Sequence, residues 1–351
     1  MKNTELHHVV FCCSGNSGLL YLAAAVRSLF ESHSRPDVLR VHILHQFLDQ
    51  AELDRLYLSW QPWSDNGHVS FYQMSDYLGE KALNPIYGYW FRAWMHKVLP
   101  QEIEKVLYLD YDLLILQDVS SLWDIELGEH MGAMAEEPDP VRARDELMTF
   151  AQGFDIPCDP NQTYFNSGVI LVNMKRWRES DIGAVLDERF AVHRPHDYLF
   201  DQGEINLVFG SEFLTLAPEY NVIHAPHYDV VHKEKLKAYA LNPVILHFAG
   251  TEKVTKRWRR LGEKEKFYEV LDRTAWKGWR SDNDKTIRGL LTSQLLEYRH
   301  LFNNRERLPY YWKKLARLLL WNPLLPLLQL IVCLWRKLRG LREEILGSTG
   351  Q

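Results

Sequence analysis

With 351 residues the chain is long enough for one large domain or two ordinary ones, each with a well-buried core. Charged residues make up 25% of it and the net charge is only −5, so no global field points to nucleic acid as a partner. Aromatic residues reach 13%, which suits core packing first and carbohydrate faces or a membrane interface second.

The first strand is expected in "HHVVFCC" (7–13), with none of the basic, apolar and cleavage-site succession of a secretory signal ahead of it. The four cysteines (Cys12, Cys13, Cys158, Cys333) have no C-x-x-C pair or regular spacing, which argues against a disulfide framework or zinc site and for a reducing compartment. A helix follows in "LLYLAAAVRSLFESH", a strand in "RVHILHQF", a helix in "QAELDRLYLSW", a strand in "HVSFYQM" and a helix in "YWFRAWMHKVLP". Then "VLYLDYDLLIL" (106–116) reads as one buried strand, and "GVILVNM" (168–174) and "PVILHFA" (243–249) as later strands of the same sheet, the last bringing His247 to its end. This alternation implies βαβ units and a mainly parallel sheet, hence an α/β fold. Ligands of such sheets gather beyond the carboxyl ends of the strands. The sequence shows no internal repeat and no low-complexity tract.

Asp110 and Asp112 stand in the middle of the 106–116 run. Unpaired burial of a carboxylate costs several kcal/mol, so the pair demands a cation or a set of donors. One residue apart on an extended strand, both point to one face and can approach one hard cation, with Tyr111 facing the other way. For an isolated D-x-D the plainer reading, a turn cap and a solvated loop residue, usually wins. Here the apolar strand and the lack of a neighbouring Lys or Arg in sequence favour the cation.

The block "KVLYLDYDLLILQDVSSLW" resembles the D-x-D block of family 8 glycosyltransferases, retaining enzymes of the GT-A fold that include bacterial lipopolysaccharide galactosyl- and glucosyltransferases. "YWFRAWMHKVLP", "YFNSGVILVNMKRWRE", "DQGEINLVF", "YN" at 220 and 221, and "HFAGTEK" agree with that family in order and spacing, over about residues 7 to 258. The resemblance implies a Rossmann-like GT-A domain over 1–258. It also implies that Asp110, Asp112 and His247 are ligands of Mn²⁺, with Mg²⁺ the alternative, holding the diphosphate of a UDP-sugar. Lys253 stands where the family has a lysine at the diphosphate, with Gly250 allowing close backbone approach, and Arg92 where an arginine reaches the donor's phosphate or sugar. Taken without the family, Lys253 reads as solvated, Arg92 as a helix-surface residue and His247 as a satisfied core histidine. Asp201 matches the aspartate on the donor-sugar hydroxyls, against the reading of a helix N-cap. Gln202 matches the glutamine near the anomeric carbon; an amide oxygen is a poor nucleophile, so electrostatic support of an oxocarbenium-like state is expected rather than a covalent intermediate. Cys12, Ser14, Asn16, Tyr111, Asn166 and Ser167 complete the expected donor contacts.

Two positions depart from the family. Ser14 stands where an aspartate reads uracil, leaving Asn16 for the ribose, and Gly203 replaces the last carboxylate of the usual D-Q-D. "CSGNSG" reads as an ordinary βα turn near the nucleoside, since it lacks both G-x-G-x-x-G and G-K-[ST]. The sequon "NQT" (161–163) carries no meaning in a chain expected to stay in the cytosol. Acceptor contacts are expected from loops such as 136–165.

After about Trp258 the sequence turns charged and helix-prone, which reads as a helical extension over 259–308. Residues 309–351 form a third segment, in which "YYWKKLARLLLWNPLLPLLQLIVCLWRKLRGLR" has seven basic residues, no acidic one and an uncharged apolar middle. That middle approaches the roughly 20 apolar residues of a bilayer span, yet Asn322, Pro323, Pro326 and Gln329 interrupt it. Basic flanks on both sides suit a segment lying in the plane of the cytoplasmic leaflet. The expected protein is therefore a membrane-peripheral, metal-dependent retaining hexosyltransferase on the inner face of a bacterial cell membrane. Its expected partners are a nucleotide sugar, a saccharide or glycolipid acceptor, and the membrane through residues 309–342. The competing classes are a non-catalytic or altered-specificity GT-A binding protein and a sugar-nucleotide nucleotidyltransferase; the latter needs a triphosphate grip, for which no Gly-rich or multi-lysine loop is present.

Overall fold

In the computed structural model, residues 5–154, 156–193, 200–223, 242–250, 253–255, 261–286, 289 and 292–294 are described. The chain begins β1 (His7–Ser14), α1 (Leu19–Ser32), β2 (Leu39–Gln46), α2 (Gln50–Ser59) and β3 (Val69–Gln73), the alternation read from the sequence. Asp49 starts α2 with a capping box, its carboxylate accepting from the Glu52 N–H while Glu52 accepts from the Asp49 N–H. There follow α3 (Ser75–Leu78), a 3₁₀ run over Pro85–Trp94, α4 (Met95–Val98), β4 (Lys105–Leu109), β5 (Leu113–Ile115), β6 (Gly132–Glu136) and α5 (Pro140–Gly153). The rest is β7 (Phe165–Asn173), α6 (Met174–Glu179), α7 (Ile182–His193), α8 (Phe200–Phe209), β8 (Phe213–Thr215), β9 (Val222–Ile223), β10 (Ile245–His247) and α9 (Leu261–Leu271).

Seven strands form the main sheet in the order β3-β2-β1-β4-β7-β6-β8. β3, β2, β1 and β4 run parallel, β7 is antiparallel to both β4 and β6, and β8 is parallel to β6. The fold is thus mixed α/β with a mainly parallel sheet flanked by helices. Buried side chains cover both faces. Phe11, Leu107 and Leu171 lie with α1 on one side, while Val10, Val106 and Ile170 lie with Phe91, Met95 and Trp177 on the other. α9 packs against α1, its Phe267 ring centroid 5.6 Å from that of Tyr21.

Four expectations about local structure change. The 106–116 run is two strands in two sheets: the Asp110 N–H still donates to Gly168 O at 2.8 Å, and then the chain bends so that Asp112 O accepts from the Phe248 N–H at 2.8 Å. The 243–249 run lies outside the main sheet, since β10 pairs antiparallel with β5 and parallel with β9 in a three-stranded sheet. The "YWFRAW" segment is tightly wound 3₁₀ backbone, and Arg92 within it is buried, not on a helix surface. The 136–165 span is no simple loop: Asp139 caps α5, its side chain accepting from the Arg142 N–H, and Leu147 and Phe150 are buried. Among the described residues no helix is long and apolar enough to cross a membrane. The 309–351 segment lies outside the described residues.

Candidate functional site

The bend between the two sheets assembles the acidic pair. Asp110 stands at the carboxyl end of β4, and Asp112 directly precedes Leu113, whose β5 partner is His247 on β10. The imidazole Nε2 consequently lies 3.7 Å from Asp110 Oδ2 and 3.5 Å from Asp112 Oδ1. Ligand atoms from the three residues fall within 4.8 Å of one another. These separations are long for hydrogen bonds but suit ligands that share one small ion, whose bonds run about 2.0 to 2.2 Å. The backbone has made room for them. A Cβ on Gly168 would stand 2.2 Å from His247 Cε1 and 3.0 Å from Asp110 Oδ2, so only glycine in β7 lets the imidazole and the carboxylate approach. Two carboxylates with one imidazole form a donor set that suits an ion such as Mn²⁺ better than the all-oxygen shells preferred by Ca²⁺ and Mg²⁺.

Two cations reach the same place from distant parts of the chain. Lys253 Nζ donates to Asp112 Oδ2. Arg92 lies with Nη2 3.2 Å from Asp110 Oδ1 and Nε 2.6 Å from Asp201 Oδ2, while its Nη1 donates to Ser167 O at 2.5 Å and Ser167 Oγ at 3.1 Å. Tyr108 lies under the guanidinium at 4.6 Å and donates its hydroxyl to Asp110 Oδ1 at 2.7 Å. Burial alone would raise the Asp112 carboxyl, but the Lys253 charge and the neighbouring His247 hold it below the usual carboxylate range. Asp201 differs: burial pushes it up to about 6 against the pull of Arg92. Three acidic groups (Asp110, Asp112, Asp201) thus face two fixed cations (Arg92, Lys253), a balance that leaves negative charge for a further cation.

The other expected residues surround this core. Cys12, near the end of β1, is buried beside Arg92, Asp110 and Asp201, and burial drives its thiol well above the ordinary range. Ser14 ends β1 against the backbone of Gly88, where a Cβ would lie 2.3 Å from Ser14 Cβ. Asn16 is exposed in the turn that follows. The Tyr111 ring lies over Gly18 and 5.9 Å from Lys253 Nζ. Asn166 is buried, with Oδ1 accepting from the Gly168 N–H at 3.0 Å. Gln202 Oε1 accepts from the Ser167 N–H at 3.1 Å, and its Nε2 donates to Tyr164 Oη at 3.3 Å. Asp201 sits inside the first turn of α8 with its carboxylate turned to Arg92. Gly250 adopts φ +77°, left-handed backbone that favours glycine.

Sequence reasoning missed Glu137, Asn221 and Tyr108. Asn221 was in view within "YN" and Glu137 stands in "AEEPDP", but neither has a spacing that announces a role. Asn221 lies on the far side of His247, its Oδ1 2.9 Å from the imidazole Nδ1, and Glu137 accepts from the Asn166 amide at 2.9 Å.

Comparison with known proteins extends this picture. Residues 8–262 match the family described as glycosyl transferase family 8. Among curated relatives, General stress protein A of Bacillus subtilis (strain 168) is 20% identical over 289 residues, 79% of this chain and 96% of that protein. Lipopolysaccharide 1,2-glucosyltransferase of Escherichia coli (strain K12) is 23% identical over 221 residues, 60% of this chain and 61% of that protein. Among solved structures, the galactosyltransferase LgtC, in complex with donor and acceptor sugar analogues, superposes with a TM-score of 0.59 at 19% identity, covering 79% of this chain and 99% of that one. The bifunctional glycosyltransferase WbbM superposes with a TM-score of 0.61 at 20% identity over 79% of this chain and 51% of that one. At such identities the structural likeness speaks for the fold, and the match over residues 8–262 speaks for the family. The chain belongs to glycosyl transferase family 8.

Proposed function

We propose that the protein is a metal-dependent retaining hexosyltransferase that moves galactose or glucose from a UDP-sugar to a lipopolysaccharide-core or lipid-linked saccharide. The observation that carries this reading is the convergence of Asp110, Asp112 and His247 where the two sheets meet. The E. coli relative, by its name a lipopolysaccharide glucosyltransferase, supports the acceptor class. A bound Mn²⁺, or Mg²⁺ in its place, would stabilise the charge of the departing diphosphate as it develops. Lys253 would turn from Asp112 to the diphosphate, with the left-handed Gly250 keeping the backbone close. Asp201 would accept from donor-sugar hydroxyls, and Arg92 would orient it while reaching the phosphate or sugar. Gln202, its oxygen engaged by the Ser167 N–H, would lend its dipole to the oxocarbenium-like state. The acceptor hydroxyl attacks the anomeric carbon on the face from which the diphosphate leaves. The bond from anomeric carbon to phosphate oxygen breaks, and the hydroxyl proton passes to the leaving phosphate oxygen.

We assign residues 1–258 to the donor-binding catalytic domain, 259–308 to a helical extension and 309–351 to an in-plane anchor on the cytoplasmic face of the membrane. Cys12, Ser14, Asn16, Tyr111, Asn166 and Ser167 complete the donor site. A reading with altered base specificity draws on Ser14, because the Gly88 backbone leaves space there for a small side chain. Thermal-shift titration with UDP-, GDP- and CDP-sugars, each with and without Mn²⁺, tests both. Stabilisation by a UDP-sugar that requires the ion is expected. A shift with GDP- or CDP-sugars alone supports the altered base, and an unmoved melting point across the panel removes the catalytic reading.

A further inference from the structure

Behind the acidic pair runs a chain of polar contacts whose direction is fixed by a single backbone donor. The Gly168 N–H donates to the Asn166 side chain at 3.0 Å, so the atom it meets must be the amide oxygen. The nitrogen of that amide then faces Glu137 Oε2 at 2.9 Å, where a carboxylate accepts it. Two independent partners therefore agree on the orientation of Asn166. The side chain of Asn221 meets that same Asn166 oxygen at 2.9 Å and must present its own nitrogen there, which leaves its oxygen toward His247 Nδ1 at 2.9 Å. An oxygen accepts only from a protonated ring nitrogen, so the proton of the neutral ring sits on Nδ1 and Nε2 keeps its lone pair. Nε2 is the atom that faces Asp110 and Asp112. All four residues are buried, so water does not replace these partners.

We infer that Asn221 is a positioning residue: relayed from the Gly168 N–H through Asn166, it fixes the tautomer and ring orientation of His247 so that the Nε2 lone pair is available to a divalent ion. Partners behind a metal-binding histidine commonly control its affinity in this way. The inference rests on the metal reading above, and its test separates the two.

The tautomer is read first in the metal-free wild-type protein, by long-range ¹H–¹⁵N correlation at alkaline pH. A protonated Nδ1 and an unprotonated Nε2 on His247 are expected, and the opposite tautomer overturns the inference. Mn²⁺ binding is then followed by the loss of the free-ion electron paramagnetic resonance signal. Asn221→Leu, similar in branching but without an acceptor, should weaken binding by about 10- to 100-fold. Asn221→Asp keeps an acceptor toward Nδ1 and should bind at least as tightly as the wild type, even though its melting point falls because its second oxygen faces that of Asn166. A purely structural role would lower melting point and affinity together in both variants, and that pattern overturns the inference. If Asn221→Leu does not fold, the wild-type tautomer and Asn221→Asp still decide. A wild type that binds no Mn²⁺ removes the metal reading, while the nitrogen shifts judge the relay on their own.

Discussion

Between Asp110 and Asp201, Arg92 serves two carboxylates at once, and the costs of losing it are unequal. Asp201 is 3% exposed, whereas the Asp110 side chain is 25% exposed and keeps a hydrogen bond from Tyr108. Burial by itself would lower the guanidinium, yet the two acids raise it, so it stays charged. Arg92→Met should therefore destabilise the protein by roughly 3 kcal/mol, chiefly by leaving the buried Asp201 without its counter-charge. The double variant Arg92→Met/Asp201→Leu should recover most of that loss in urea denaturation. A loss under about 1 kcal/mol in the single variant contradicts the buried-pair account. Gly168 tests space rather than charge. Because its Cβ would sit 2.2 Å from the His247 ring, Gly168→Ala should cost about 1 to 3 kcal/mol as the imidazole is pushed aside, and Mn²⁺ affinity should fall with it. Unchanged affinity, measured by the same spin signal, means that His247 is not held where the ion binds.

At the scale of elements, the base of the main sheet carries a pH response. His8 Nδ1 and His42 Nε2 lie 3.0 Å apart between neighbouring strands, and His7 Nδ1 lies 3.0 Å from His33 Nε2 with its ring stacked on Trp123 at 4.2 Å. Burial pushes His7 and His8 down to about 4 and His42 down to about 3. Their folded values lie below the ordinary 6.5, so between those limits the unfolded chain binds more protons and stability rises with pH. Asp201, raised to about 6, works in the opposite direction over part of that window, but one group opposes three. Urea denaturation across the window should show stability falling as pH drops from 6.5 toward 4, with a shallower fall in His42→Gln. A flat profile contradicts neutral burial of these rings. The strands that carry the histidines were legible because β-branched and apolar residues mark them. The break after Leu109 was not, since apolar residues flank Asp110 and Asp112 on both sides and only pairing with β7 before them and β10 after them divides the run. The motif put Arg92 at the donor site, whereas helical spacing alone describes a surface position; the 3₁₀ winding turns that residue inward.

For the whole molecule, the family's motifs made the fold and the acidic core readable, because order and spacing of several blocks constrain a topology more tightly than periodicity does. The relay behind His247 was unreadable for the converse reason: Glu137, Asn166 and Asn221 come from separate segments and meet only through tertiary packing. The C-terminal segment poses a different physical problem, since its argument is compositional. Lys313, Lys314, Arg317, Arg336, Lys337, Arg339 and Arg342 flank an apolar stretch bearing Trp321 and Trp335. Each basic residue near an anionic surface contributes about 1 kcal/mol, and the apolar middle adds a term that salt does not screen. Partition onto anionic vesicles should therefore weaken as salt rises without vanishing. Full-length protein is expected to sediment with phosphatidylglycerol-containing vesicles and much less with neutral phosphatidylcholine ones. A chain ending at residue 308 should remain in the supernatant of both while keeping its melting point and its metal-dependent hydrolysis of the donor. If the shortened chain still sediments with anionic vesicles, the attachment lies elsewhere in the protein; if it loses its melting transition, residues 309–351 belong to the core instead of the membrane.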